Sequence, residues 1–270
     1  MIAKRAFIIG SGASIREGNY DISPHNLPLW IALKDELTIG INWAYRYFNP
    51  TVSLYGDYEF FIAEKENLRK LPLVFGMQDP YFGRSLKIPD WTKLYHLENN
   101  IYLLPNRTEQ IVDGVKTLYH GIDAWKYGFY SRYLSGILGL NLAIALGCTD
   151  IYLLGMDCCS TDGKTHFYQD DFKAVHKTES GTKVCDVGYK ENGQYRTSVY
   201  NQNFNEKYEP FKKELDRVKI INVSENSGIT IFPKMCYDEF YDYVCHWTQY
   251  KTQDELRGEI LTKYKGYYKC

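Results

Sequence analysis

The sequence lacks the cysteine patterns that mark a zinc site or a disulfide framework. Its seven cysteines are odd in number and scattered, no pair has the C-x-x-C spacing, and Cys158 and Cys159 are directly adjacent. Cysteines in this arrangement are typical of reduced thiols in a cytoplasm. We therefore expect no structural metal and a cytoplasmic location.

Charge of one sign and long apolar runs are also scarce. The formal net charge is -1 over 270 residues, which gives no electrostatic reason for a nucleic-acid or membrane-surface partner. No apolar stretch approaches the roughly 20 residues that cross a bilayer. Met1 to Arg5 leads straight into a short apolar run, so no signal peptide is expected. The length fits one large domain with a sizeable core.

Aromatic residues, by contrast, are abundant, at 16% of the chain and with 25 tyrosines. Such side chains suit sugar and nucleoside pockets, and ordinary packing is the alternative explanation. Residues 1–235 are predicted to form a catalytic domain, in which a polar segment at about residues 160–200 is a lid over the site. The Tyr-rich residues 236–270 are expected to form a helical appendage or a homo-oligomer contact.

The start of the chain carries an apolar strand that runs into a glycine-rich turn. Residues 5–14 read RAFIIGSGAS. Gly10 and Gly12 permit a tight turn and the close approach of a ligand, and Ser14 is placed to cap a helix whose free N–H groups suit a phosphate. The pattern lacks the third glycine of the dinucleotide fingerprint, so a purely structural turn is the alternative.

Further apolar segments predict strands, most of which end in small or polar residues. They are residues 36–42 ending at Asn42, 51–57 ending in Gly56 and Asp57, 71–76, 101–104, 151–154 followed by Gly155 and Asp157, and 218–222. Residues 135–147 are apolar nearly all round and predict a buried helix that Gly147 ends. The pattern predicts an α/β protein with a Rossmann-like, mostly parallel sheet sandwiched by helices.

Ligands of open α/β sheets bind at the carboxyl ends of the strands, so these polar strand ends are predicted to converge on one crevice. Asp157 can bind a ribose hydroxyl, a metal or an acceptor there, with a helix cap as the alternative. A single aspartate without a D-x-D pair does not satisfy a divalent cation, so no metal site is expected. Ser135 and Gly136 offer free N–H groups to an anion, or Ser135 is an ordinary N-cap.

Histidines supply the candidate general base. His166 lies in a glycine-flanked loop past Asp157, where an imidazole can accept a proton near neutral pH. His176 is a second candidate and His120 a third. A surface histidine without a catalytic role is the alternative for each of them.

Three segments, in matching order and spacing, resemble the bacterial sialyltransferases that use CMP-sialic acid. They read IIGSGASI, SGILGLNLAIALGCTDIYLLGMD and INVSENSGITIFPK. The same segments are similar to flagellin-glycosylation factors and to archaeal hydroxymethylpterin pyrophosphokinase-like enzymes. The resemblance implies a Rossmann-like α/β fold with a lid.

The resemblance also implies roles for individual residues. The glycine turn of the family contacts the phosphate and ribose of the nucleotide, which falls here on Gly10, Ser11, Gly12, Ala13 and Ser14. The family's polar contacts after the later strands fall on Asn42, on Gly56 or Asp57, and on Gly155 and Asp157. Its serine–glycine pair, which approaches the sugar carboxylate, matches Ser135 and Gly136. Its lid histidine and phosphate-binding tyrosines fall on His166 or His176 and on Tyr168, Tyr189 or Tyr195.

Three classes of function follow. The first is a metal-independent inverting glycosyltransferase without a cofactor, which moves a sugar from a CMP-linked donor to a hydroxyl acceptor. The second is a Mg²⁺-dependent pyrophosphokinase, for which carboxylates would come from Asp57, Asp157, Asp162, Asp170 and Asp171. The third is a non-catalytic nucleotide-binding module in a larger assembly.

Overall fold

The computed structural model describes most of the chain, apart from several connecting segments. The described residues are 2–19, 28–78, 93–106, 110–112, 115–117, 121–131, 134–158, 175–177, 183–185, 190–191, 194–195, 204–244 and 251–268. The strands and helices named below lie within these residues.

One eight-stranded sheet organises the fold. In chain order its strands are β1 (Arg5–Ile9), β2 (Thr38–Ile41), β3 (Val52–Tyr55), β4 (Val74–Gln78), β5 (His96–Glu98), β6 (Ile101–Pro105), β9 (Asp150–Leu154) and β14 (Lys219–Val223). Three two-stranded sheets hold β7 (Gln110–Val112) with β8 (Val115–Thr117), β10 (Val175–Lys177) with β11 (Lys183–Cys185), and β12 (Lys190–Glu191) with β13 (Gln194–Tyr195).

The main sheet has the order β14-β9-β1-β2-β3-β4-β6-β5. All of its neighbouring pairs are parallel except β5 with β6. The predicted α/β class and mostly parallel sheet are confirmed. The chain builds outward from β1 through β2, β3, β4 and β6, and then returns to place β9 on the other side of β1.

Helices cover both faces of this sheet. They are α1 (Ile15–Asn19), α2 (Leu29–Ala32), α3 (Tyr58–Leu68), α4 (Ala124–Tyr127), α5 (Ser135–Leu146), α6 (Phe204–Tyr208), α7 (Tyr237–Val244) and α8 (Gln253–Tyr267). The side chains of α5 and α8 join one hydrophobic core, and those of α3 and α7 join a second core on the opposite face. The structure therefore places both described helices of the Tyr-rich tail in the cores, while the predicted division at residue 235 stays a prediction.

Helix α5 is the predicted apolar helix, and every residue of it is buried. It ends at Gly147, which has the left-handed φ of 91° that favours glycine at this position. Its buried amide, Asn141, accepts a hydrogen bond from the Tyr130 backbone at 2.8 Å and donates one to the Gly121 carbonyl at 3.1 Å. Asn141 thereby fixes the backbone of the segment that precedes the helix.

Two predicted elements differ in extent. The strand predicted from residue 71 begins at Val74, after a bend at Leu71 and Pro72. The helix predicted over about residues 203–217 is instead α6 followed by a 3₁₀ helix, Glu209–Glu214. Pro210 stands at the start of that 3₁₀ helix and has no N–H to continue an α-helical ladder, which explains the break. No helix within the described ranges is long and apolar enough to cross a membrane.

Candidate functional site

The strand order defines where a ligand is expected to bind. Strand β1 lies between β9 and β2, so successive connections leave it in opposite directions along the sheet. In open α/β sheets a crevice forms at such a reversal, outside the carboxyl ends of the strands. The predicted glycine turn follows β1, and Gly155 to Asp157 follow β9, so both border this point.

The glycine turn is bonded directly to the chain that leaves β9. The Gly10 N–H donates to the Leu154 carbonyl and the Gly12 N–H to the Gly155 carbonyl, both at 2.7 Å. A Cβ at Gly10 would lie 2.5 Å from the Gly155 oxygen, and one at Gly12 would lie 2.4 Å from the Asp157 carboxyl carbon. Glycine is therefore required at both positions by the adjacent chain alone. Ser11 is partly exposed, whereas Gly12, Ala13 and Ser14 are buried.

Asp157 is turned inward and holds this loop. Only 2% of its surface is exposed. Its Oδ2 accepts a hydrogen bond from the Ser14 N–H at 2.8 Å, and its Oδ1 accepts one from the Ser14 hydroxyl. Burial raises the pKa of the carboxyl group, and the hydrogen bonds from Ser14 oppose that rise. The geometry makes Asp157 a positioning group for the glycine turn, and its catalytic role stays a prediction.

The start of α5 meets the same strand ends. The Met156 sulfur lies 2.7 Å from the position that a Cβ at Gly10 would occupy, and 3.0 Å from the equivalent position at Gly136. The Ser135 hydroxyl lies 2.5 Å from the Cβ position of Gly56. The structure thus brings together the ends of β1, β3 and β9 and the first turn of α5.

Asn42 and Asp57 occupy two further strand ends. Asn42 has φ 49° and begins the 3₁₀ helix Asn42–Arg46 after β2. Its Oδ1 is buried and accepts no hydrogen bond from the described part of the chain. Asp57 is exposed at the N-cap of α3, where its side chain makes no capping hydrogen bond. Of the two alternatives given by the resemblance, Gly56 is the residue that contacts Ser135.

The chain after β14 is hydrogen-bonded to the other side of the turn that follows β9. The Ser227 hydroxyl lies 3.0 Å from the Met156 carbonyl and accepts a hydrogen bond from Asn222 Nδ2 at 2.8 Å. The Gly228 N–H donates to the Asp157 carbonyl at 2.7 Å. Two left-handed residues, Gly155 at φ 62° and Cys158 at φ 50°, shape the turn held between these contacts.

Two tyrosines at the site were missed by sequence reasoning. Tyr237 of α7 is buried near Asp157 and Ser14. Burial, and after it the charge of Asp157, raises the pKa of the Tyr237 phenol well above its usual value. The Tyr208 hydroxyl lies 3.2 Å from the Cβ position of Gly136. Neither residue belongs to a local motif, and the only available signal was the high tyrosine content.

The side chains of the three histidines predicted as general bases are outside the described residues. His166 and His120 are outside the described residues, as are Tyr168 and Tyr189. The backbones of His176 and Tyr195 belong to β10 and β13, and their side chains are outside the described part. Within the described ranges, no group of three or more His, Cys, Asp or Glu side chains is arranged to hold a metal ion. The identity of the base stays a prediction.

No protein-family model and no curated protein matches the chain. Among solved structures it is similar to a MAf glycosyltransferase from Magnetospirillum magneticum AMB-1, with 17% identity and a TM-score of 0.47. That similarity covers 98% of this chain and 37% of that one. It is also similar to the sialyltransferase CstII from Campylobacter jejuni in complex with cytidine-5'-monophosphate, with 15% identity, a TM-score of 0.40, and 86% and 85% of the two chains covered.

A second structure of CstII, in complex with CMP-3FNeuAc, matches with 15% identity and a TM-score of 0.42, over 97% of this chain and all of that one. These proteins are of the kind that the three sequence segments resemble. The likeness concerns the fold. The chain spans little more than a third of the length of the Magnetospirillum protein.

Proposed function

We propose that this protein is a glycosyltransferase that takes a sugar from a nucleotide-linked donor, with CMP as the expected nucleotide, and transfers it to a hydroxyl acceptor without a metal. The observation that carries the proposal is the meeting of three strand ends with the first turn of α5 at the point where the strand order reverses. The three resembling sequence segments contribute the residues at that point.

Each part of the site has a task in this proposal. The glycine turn presents Ser11 at its accessible surface, and the Asp157 contacts to Ser14 keep the turn rigid. The first turn of α5 offers N–H groups at the positive end of the helix dipole to the charged part of the donor. Rigid donors aimed at an oxyanion stabilise developing charge without reorganising during the reaction.

The proposed reaction is one displacement. The acceptor hydroxyl oxygen forms a bond to the anomeric carbon while the bond from that carbon to the phosphate oxygen breaks. The hydroxyl proton passes to a histidine, for which His166 and His176 are the candidates. The electron pair of the broken bond leaves with the nucleotide phosphate, whose charge the helix N–H groups stabilise.

Turnover with defined donors tests the proposal. Purified protein is incubated with CMP-sialic acid, UDP-sugars, GDP-sugars or ATP, with an acceptor sugar, in EDTA or in Mg²⁺. We expect acceptor-dependent release of CMP that EDTA leaves unchanged and that His166→Ala or His176→Ala abolishes. Mg²⁺-dependent formation of AMP from ATP would instead identify the pyrophosphokinase alternative. Nucleotide binding without any turnover would identify a binding module.

A further inference from the structure

The 3₁₀ helix Asn42–Arg46 follows β2 at the carboxyl ends of the strands, and helix α3 packs against it. Trp43 of the 3₁₀ helix lies edge-on to Phe60 of α3, with ring centroids 4.8 Å apart, and both side chains are buried. Glu64 lies on the same face of α3 as Phe60, because residues four apart on a helix are neighbours. Only 6% of the surface of Glu64 is exposed. The contact between the two helices therefore contains a buried carboxylate.

Three donors meet at this carboxylate. The Arg46 guanidinium donates to Oε1 of Glu64 at 2.6 Å. The Tyr45 hydroxyl and the Asn67 amide both donate to Oε2, the amide at 3.0 Å. Burial raises the pKa of Glu64, but the three hydrogen bonds outweigh burial, so its net shift is downward and the group stays charged at neutral pH. A carboxylate accepts from all three donors, whereas an amide of the same shape offers one acceptor and one donor group.

The network reaches Asn42 through the geometry of the 3₁₀ helix. With three residues per turn, Asn42 and Tyr45 lie on the same face, one turn apart. Asn42 has the left-handed φ of 49°, which asparagine tolerates better than most residues but which is still unfavourable without a glycine. Such conformations persist where surrounding contacts hold them, and they cluster at functional sites. The buried Oδ1 of Asn42 has no hydrogen-bond partner in the described part of the chain, so it is available to a ligand.

Stability alone is a weak explanation for the charges in this contact. A buried ion pair usually contributes little net stability, because the desolvation of its charges offsets their attraction. Apolar packing between the two helices is already supplied by Trp43 and Phe60. Hydrogen bonds add a preferred distance and angle, which non-directional apolar contacts lack. The network around Glu64 is therefore suited to hold the 3₁₀ helix in one defined position.

We propose that Glu64 is a positioning residue: its hydrogen bonds to the 3₁₀ helix hold Asn42 in the left-handed conformation, with the amide oxygen presented to the ligand. The inference rests on the proposed function only for the identity of that ligand, a nucleotide. The hold of Glu64 on the 3₁₀ helix does not depend on the ligand and can be measured without it.

Replacing one oxygen of the carboxylate tests this role. Glu64→Gln keeps the shape of the side chain and turns one acceptor into an NH₂ donor. Tyr45→Phe removes one hydrogen bond of the same network and leaves the carboxylate in place. The matched control is Glu98→Gln, because Glu98 also pairs with an arginine of this region. Its partner Arg69, at 2.7 and 3.0 Å, stands at the C-terminal end of α3.

Two measurements separate positioning from simple support of the fold. Titration calorimetry gives the Kd of CMP for each variant, alone and combined with Asn42→Ala. Hydrogen exchange reports on the 3₁₀ helix without any ligand. Its reporter amides are those of Tyr47 and Phe48, which both donate to the Ala44 carbonyl at 3.1 Å.

We expect Glu64→Gln to weaken the affinity for CMP about 3- to 30-fold, as is usual for coupled residues of one network, and Tyr45→Phe to weaken it less. In the Asn42→Ala background, Glu64→Gln should change the Kd by less than about 2-fold, because the group that Glu64 positions is gone. The reporter amides should exchange faster in Glu64→Gln than in the wild type. Glu98→Gln should leave both the Kd and the exchange unchanged.

Three results would overturn the proposal. The first is unchanged exchange of the reporter amides in folded Glu64→Gln. The second is faster exchange with an unchanged affinity for CMP. The third is a loss of affinity that is as large in the Asn42→Ala background as in the wild type, since Glu64 would then act by another route. If the wild type binds no nucleotide, the proposed function fails, and the exchange comparison by itself decides whether Glu64 holds the 3₁₀ helix.

Discussion

The two edges of the main sheet, where its parallel strands begin (the amino edge) and where they end (the carboxyl edge), differ in how their polar groups are hydrogen-bonded. At the amino ends of β1, β2 and β3 the groups satisfy one another. Arg5 pairs with Glu36. Thr38 and Thr51 exchange backbone-to-hydroxyl hydrogen bonds at 3.0 and 2.9 Å, and Gln253 bonds to the Glu36 carbonyl at 2.7 Å. At the carboxyl edge, buried oxygens of Asn42 and Asn222 have no partner within the described residues.

The helix termini at the two edges show the same contrast. The start of α8, beside the amino edge, is closed by a capping box in which Thr252 bonds the Glu255 N–H and Glu255 bonds the Thr252 N–H. The start of α5, at the carboxyl edge, is buried behind Leu134 and has no side-chain cap. Since buried polar groups are costly when unpaired, an edge that leaves several unpaired is suited to receive a ligand.

We expect the largest difference between the two edges when a single methyl group is added at the carboxyl edge. Gly12→Ala would place its Cβ 2.4–2.6 Å from Asp157 and the Gly155 carbonyl oxygen, where neither can move freely. We expect a loss of stability of about 1–3 kcal/mol and loss of nucleotide binding. Denaturant unfolding and calorimetry measure the two effects.

The matched control for Gly12→Ala is Gly258→Ala in α8, where a Cβ has nothing within 4 Å. Alanine should stabilise that helix by about 0.5–1 kcal/mol and leave nucleotide binding unchanged. Similar behaviour of the two alanine variants would contradict the close packing of the glycine turn.

A second comparison separates the hydrogen bonds of Asp157 from its charge. Asp157→Ala leaves the buried Ser14 N–H without an acceptor and should cost about 1–3 kcal/mol. Asp157→Asn can still accept from that N–H and donate to the Ser14 hydroxyl. We expect nucleotide affinity to fall in the alanine variant and to be largely retained in the asparagine variant. If the asparagine variant also loses turnover while binding normally, the charge of Asp157 acts in catalysis.

A substitution at the amino edge should change the stability of the protein but not its ligand binding. Thr252→Ala removes the cap of α8 and should lower the free energy of unfolding by about 0.5–2 kcal/mol. Nucleotide affinity and turnover should not change, because this cap lies at the opposite edge from the glycine turn. A change in affinity comparable with that of Asp157→Ala would mean that the two edges are coupled.

The smallest expected effect is the pH dependence of stability. Because burial raises the folded-state pKa of Asp157, the folded protein takes up this proton before the unfolded chain does. The stability of the wild type relative to Asp157→Asn should therefore increase as pH falls through the raised pKa, and level off below the unfolded pKa near 3.8. Paired urea titrations between pH 3.5 and 7 measure the difference. An opposite slope would show that the Ser14 hydrogen bonds outweigh burial.

The sequence was informative about elements and much less so about contacts between them. The strand before Gly10, the apolar helix ending at Gly147 and the strand before Gly155 were predicted from local patterns, and the structure has all three. Asp57 was predicted at the site as an alternative to Gly56; it is exposed at the N-cap of α3, and its contact with a ligand stays a prediction. Whether a polar residue after a strand turns inward depends on what packs over it, and a local pattern does not contain that information.

By itself, the sequence determined the alternation of strands and helices and the positions where the chain turns tightly. Hydrophobic periodicity and glycine act over a few residues, so they can be read locally. Only the tertiary structure decided that Asp157 binds Ser14, 143 positions away, and that the Tyr208 hydroxyl reaches Gly136. Such contacts form because the parallel sheet carries distant strand ends to one edge, where burial makes each polar group depend on its neighbours for hydrogen bonds.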